Sequence, residues 1–326
     1  MRRAIFITGS ILLLGAAVSW AIPSIVADPV RFDLNAGRAD AALQTLNPAL
    51  SQNPADAEAL NLRCRVFYEE QLWNQAIADC ESAVKAAPAD SDFHLWLGRA
   101  YGQKAAHISM VSAFKLARKV AAEFQQAVQL DPRNAAALSD MGEFDVDAPG
   151  MVGGGINRAL AIVPQLQSIS PAAALALQAR IAEAQKNYPE AESDLKAAIS
   201  QSSYPSSAWM DLASFYRRRG RLDEMVSTVH TGAALDHSHG PALVDGASNL
   251  SAAHREPQTA VQLLQLYLAS RAQTEDAPAF IVRAQLAHLL ADEGDAADAQ
   301  QQLAVAHTLA SAWHIPSGRR ADRAAQ

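Results

Sequence analysis

The chain has 326 residues, half of them hydrophobic but only 6% aromatic, and a formal net charge of −7 at pH 7. Its apolar content is mostly Ala and Leu, which suits closely packed helices better than sheets. The acidic balance argues against a nucleic-acid partner, whose phosphates need a basic surface, and two cysteines are too few for a disulfide framework.

Arg2 and Arg3 precede the uncharged stretch AIFITGSILLLGAAVSWA, and no charge follows until Asp28. Basic residues, an apolar core and small residues at Ser19 and Ala21 form the pattern of a cleaved secretory signal peptide. Residues 4–27 are also long enough to attach the chain to the inner membrane as an uncleaved anchor. The short, strongly apolar part fits the signal better. Either way, residues 1–27 serve export or anchoring, and the remainder is expected outside the cytoplasm, in the periplasm or an equivalent compartment.

Beyond that segment the chain repeats itself every 34 residues. Ala42 and Ala76, Leu46 and Cys80, Ala49 and Ala83, and Pro54 and Pro88 keep the spacing. So do Leu60 and His94, Cys64 and Gly98, and Phe67 and Tyr101. Further on, Leu175, Trp209 and Leu243 continue it, as do Ala179, Ala213 and Ala247. Each unit predicts two helices. In the first, a large residue is followed by a small one four later and an aromatic or apolar one three after that, an amphipathic stripe. The second stops at Pro54, Pro88, Pro132 or Pro171, where proline cannot continue a helix.

DFHLWLGRAYG, with Leu97, Gly98 and Tyr101, carries a recognisable pattern, as does SSAWMDLASFYRRRGRLDEMV with Trp209, Leu212, Ala213 and Tyr216. Both resemble the tetratricopeptide repeat (TPR), a 34-residue helix–turn–helix with Trp, Leu-Gly, Tyr, Ala, Phe, Ala and Pro at fixed offsets. The resemblance covers roughly residues 32–312, about seven to eight units with the first incomplete. It implies an all-α, right-handed α-solenoid in which the first helices line a concave groove for an extended peptide or partner helix. The last unit departs most, with Arg283 in place of the leading bulky residue, and is expected to cap the array. Residues 313–326 are expected to be a disordered tail.

The register breaks twice, between the two helices of consecutive units. Ten extra residues fall near 102–115, where Ser112 is expected to cap a lengthened helix starting near Ala113. Five more fall near 145–155, in the stretch DAPGMVGGG. Insertions at equivalent places in neighbouring repeats meet at one edge. The expected insertion surface comprises Lys115, Arg118 and Lys119 with Asp145, Asp147, Gly150, Gly153, Gly154 and Gly155. These glycines are not a phosphate loop, because no Lys-Ser/Thr follows and no strand pattern precedes them. They are expected to supply positive φ in a long turn, with Asn157 or a neighbour capping the next helix.

The face offset from the core stripe offers Asn61, Arg65, Arg99, Gln103, Ser139, Glu143, Arg180, Met210, Ser214 and Arg217 as groove residues. Four of these ten are arginine, which predicts a groove for a carboxylate-bearing peptide; the plainer account is a soluble helix face. Cys64 and Cys80 occupy core positions of one unit. They serve either as small apolar residues or, in an oxidising compartment, as a disulfide. His237 and His239 in DHSHG are weak metal candidates; with no third ligand assured, they point to a polar turn. No catalytic motif is present and no cofactor is implied. The expected function is a non-catalytic scaffold for a protein or peptide partner. The alternatives are an accessory subunit of an envelope-assembly or cofactor-maturation complex, and a metal- or small-ligand-binding solenoid.

Overall fold

The computed structural model describes residues 27–314. The N-terminal signal or anchor segment, apart from Ala27, and the tail beyond His314 lie outside the described residues. Among the described residues there are sixteen α-helices, no strand, and no helix long and apolar enough to cross a membrane.

The helices fall into eight antiparallel-pair units, numbered in chain order. The first helices are α1 (Ala27–Asn35), α3 (Ala57–Glu69), α5 (Ser91–Ala106), α7 (Ala135–Asp147), α9 (Pro171–Ala184), α11 (Pro205–Arg218), α13 (Ala242–Ala252) and α15 (Ala279–Asp292). Their partners are α2 (Ala39–Gln52), α4 (Trp73–Ala86), α6 (Met110–Leu130), α8 (Ile156–Ile169), α10 (Tyr188–Gln201), α12 (Leu222–Leu235), α14 (Pro257–Ala269) and α16 (Ala296–Leu309). α1 begins before residue 32 and buries Ala27, Val30 and Leu34, so the first unit has both of its helices.

Local chemistry sets the boundaries. Asp56 and Asp90 accept hydrogen bonds from the first free N–H groups of α3 and α5, and Asn134 does so for α7. α9 and α11 instead start on Pro171 and Pro205, whose missing N–H costs nothing at a helix N-terminus. The turn from first to second helix needs a left-handed residue after the helix end. Gly37, Gln71, Lys186, Gly220, His254 and Gly294 supply it. The two units without that residue are the two that carry insertions, so a longer connection replaces the tight left-handed turn.

Two boundary expectations are corrected. α6 starts at Met110 rather than near Ala113, and Ser112 caps nothing; its hydroxyl instead accepts a bond from Ser109 Oγ. α8 starts at Ile156 from Gly155, which places Asn157 inside the helix rather than at its cap. In the glycine stretch, residues 150–152 form a short 3-10 turn, and Gly153 and Gly155 hold φ of 105° and 135°. A Cβ on Gly154 would sit 2.1 Å from the Ala148 oxygen, so only glycine fits that approach.

The array closes on itself. α16 packs against α2, and Phe280, Ala306, Ala310 and Trp313 share one buried cluster with Val30, Leu34, Leu46 and Leu62. The backbone N–H of Ser311 donates to Asp40 Oδ1. Gly37 lies against the start of α15 so closely that a Cβ there would sit 2.1 Å from the Ala279 nitrogen. The last unit is therefore no free cap: it docks on the first. Arg283 turns toward its own unit and donates to Gln302 Oε1.

Candidate functional site

Closure turns the concave face into the interior of a ring. A ladder of side-chain contacts runs along it from one first helix to the next. Arg99 on α5 pairs with Asp140 on α7, and Arg180 on α9 pairs with Asp147 at the end of α7. Arg218 on α11 reaches Glu183 on α9; Ser214 and Arg217 reach Asn249 on α13; Gln285 on α15 reaches Ser248 on α13. At the seam, Arg65 on α3 makes a bidentate ion pair with Glu275, in the loop before α15.

The expectation of an arginine-led groove for a carboxylate partner is therefore corrected. The guanidinium groups of Arg65, Arg99 and Arg180 already hold the protein's own carboxylates. Arg65 and Arg99 also stack on the Trp96 ring, at 4.8 and 4.7 Å from its centroid. Asn61 and Met210 are buried in the core and line no groove. Gln103 lies beside the Tyr68 hydroxyl, and Ser139 is half-buried on α7.

What remains unneutralised is acidic. Glu143, Asp211, Asp245 and Asp276 form no side-chain hydrogen bond among the described residues and all keep accessible surface. Protein nonetheless surrounds three of them closely enough to shift their protonation. Burial raises Glu143 above the usual carboxylate range and pushes Asp211 up to about 6. Asp245 rises to about 7, through burial first and then through the charges of Asp211 and Asp276. Glu143 lies on α7, Asp211 on α11 and Asp245 on α13, all first helices, and Asp276 precedes α15. Only Glu143 of these four belonged to the groove set read from the sequence. The other three are missed there because a lone carboxylate on a helix face looks like ordinary solvated surface.

The seam holds two further acids. Glu69 and Glu70 are buried, and none of their four carboxyl oxygens has a hydrogen-bond partner. Burial, then the charge of Glu275, raises Glu69 well above the normal range. Glu70 is pushed up to about 7 by burial and by Asp40. Glu70 is therefore largely protonated in the closed ring at mildly acidic pH.

The remaining candidates lie elsewhere. Cys64 and Cys80 are joined by a disulfide between α3 and α4, with Cα atoms 5.4 Å apart. His237 is exposed and His239 takes φ 55° in the turn before α13. No group of three or more His, Cys, Asp or Glu among the described residues is placed to hold a metal ion. The glycine loop packs on α6 beyond the first insertion: a Cβ on Gly153 would lie 3.1 Å from that of Ala121. Lys115, Arg118 and Lys119 lie along α6 at or near its surface, whereas Asp145 is wholly buried, contrary to the surface position expected for it. Its carboxylate accepts from Arg158 Nε at 3.2 Å and its backbone oxygen accepts from Gly155, so it ties down the glycine loop from below.

No protein-family model matches the chain, and no curated protein matches it in sequence. Among solved structures it is similar to TTC0263, a thermophilic TPR protein of Thermus thermophilus, at 21% identity over 62% of this chain and 99% of that one, with a TM-score of 0.48. A tetratricopeptide repeat protein from Parabacteroides merdae is similar at 12% identity over 81% of this chain and 96% of that one, also with a TM-score of 0.48. MamA is similar at 20% identity over 55% of this chain and 96% of that one, with a TM-score of 0.42. The architecture rests on the helix pairs themselves, and at these values none of the three likenesses bears on partner or activity.

Proposed function

We propose that this chain is a non-catalytic scaffold whose ring interior captures a lysine- or arginine-rich polypeptide segment. One observation carries the reading. The arginines of the first helices are paired, while Glu143, Asp211 and Asp245 on those helices and Asp276 before α15 are exposed and make no side-chain hydrogen bond among the described residues. A cationic side chain entering there offsets the burial and the like charges that raise Asp245, and gains a charge-assisted hydrogen bond. A carboxylate entering there meets these acids and finds Arg65, Arg99 and Arg180 already paired. Action outside the cytoplasm is part of the proposal. The basic-then-apolar N-terminal pattern supports it, as does the Cys64–Cys80 bond, which persists in oxidising compartments.

Fluorescence anisotropy with labelled Lys/Arg-rich and Asp/Glu-rich peptides of equal length tests the reading. The basic peptide is expected to bind and the acidic one not to. Asp211→Asn with Asp245→Asn is expected to weaken the basic peptide by about tenfold or more. Equal affinity for the two peptides refutes the proposal.

A further inference from the structure

α5 and α6 form the one hairpin that outgrows the ring. α5 has 16 residues and α6 has 21, where the other second helices have 13 or 14. At 1.5 Å per residue, the extra length of α6 carries its start about 10 Å further than its counterparts. The tip that results is apolar. Of the ten large hydrophobic side chains exposed among the described residues, four are at this tip, Ile108, Met110, Val111 and Phe114, and a fifth, Met151, is on the glycine loop that approaches the same helix at Ala121. Met110, Val111 and Met151 are 88%, 81% and 75% exposed, so none contributes to the fold's own core. Val111 and Phe114 are followed four residues later by Lys115 and Arg118, which places a basic collar one turn behind an apolar point. Lys115 and Arg118 make no ion pair among the described residues. Lys119, further back, donates to Glu81 and to Tyr101.

We propose that this tip is a docking surface for an anionic lipid bilayer, with Met110, Val111, Phe114 and Met151 entering the headgroup boundary and Lys115 and Arg118 meeting lipid phosphates. Two features favour a bilayer over a protein partner. The apolar surface is a projecting point rather than a groove, and a point is buried by a medium that yields around it. The charge arrangement also orients the molecule. A chain of net charge −7 is repelled by anionic lipid everywhere except where unpaired cations gather, so it approaches tip first. The ring interior lies apart from this surface, and the inference does not rest on what the interior binds.

The test places a polarity-sensitive fluorophore on the full chain through Val111→Cys, the two native cysteines being bonded to each other. Vesicles of phosphatidylglycerol and phosphatidylcholine are expected to shift its emission to the blue, and vesicles of phosphatidylcholine alone are not. Because the label reports contact at residue 111, the N-terminal apolar segment cannot produce the signal by itself. Lys115→Glu with Arg118→Glu, on the labelled chain, is expected to raise the lipid concentration for half-maximal shift by about tenfold. Met151→Ser, away from the labelled helix, is expected to raise it as well. Emission that does not respond to anionic vesicles overturns the proposal. A response to protein concentration without lipid, accompanied by dimers in sedimentation, overturns it in favour of a second copy of the chain.

Discussion

Arg65 and Glu275 stand 210 residues apart in sequence and meet in a bidentate ion pair, with Arg65 Nε 2.9 Å from Glu275 Oε2. Both side chains are largely buried, and the guanidinium lies over the Trp96 ring. The pair joins the second unit to the connection leading into the eighth, and with the Gly37–Ala279 approach it makes the solenoid a closed ring.

Cutting that pair is expected to loosen the seam without unfolding the units. Arg65→Ala should cost about 2 kcal/mol, the range for a buried hydrogen bond to a charged group whose partner is left behind. Gly37→Ala attacks the same seam sterically, since its Cβ has no room beside α15. Small-angle scattering should show a larger radius of gyration for both variants at unchanged helical content. An unaltered radius means that the ring does not depend on these contacts.

The buried acids of the seam make stability depend on pH. Folding raises Glu70 from an ordinary 4.5 to about 7, so between those values the folded chain keeps a proton that the unfolded chain has lost. Stability from this group is therefore fully present below pH 4.5 and declines as pH rises to 7, by roughly 3 kcal/mol at most. Glu69, raised in the same direction, adds to the decline. Glu69→Gln with Glu70→Gln should flatten the melting temperature between about pH 5 and 8, whereas an undiminished slope would show that these groups are not its source.

Binding in the interior is expected to follow the opposite trend. Asp211 at about 6 and Asp245 at about 7 gain their charges as pH rises, and a cationic peptide prefers the ionised forms. Affinity for a basic peptide should therefore increase by about tenfold from pH 5 to pH 8. The Asp211→Asn, Asp245→Asn variant should lose most of that dependence. A pH-independent affinity of the unaltered chain would place the peptide elsewhere.

The disulfide joins α3 and α4 across a sequence separation of 16, inside a buried cluster that also holds Ala76 and Ile77 of α4. Cys64→Ala with Cys80→Ala should lower the unfolding free energy by about 3 kcal/mol, mainly by freeing the unfolded chain. Denaturant titration measures this directly. The folded, unreduced chain should yield no thiol to labelling, and a yield of two thiols would exclude the bond.

The sequence by itself determined the helix pairs. Their 34-residue period is a local property: Asp56 and Asp90 cap their own helices, and Cys64 and Gly98 face Cys80 and Phe124 on the second helix of their own unit. The two insertions were legible for the same reason, since each is a counted excess over that period. Only the tertiary structure decided the ring and the character of its interior. A small rotation at every repeat accumulates over eight units before Gly37 finds Ala279, and no single spacing records that sum. The arginines looked like a cationic groove because their partners, Glu275, Asp140 and Asp147, lie on other helices or across the seam. Once those pairs form, the carboxylates left without partners are Asp211, Asp245 and Glu143, whose raised pKa values arise only after folding has packed protein around them.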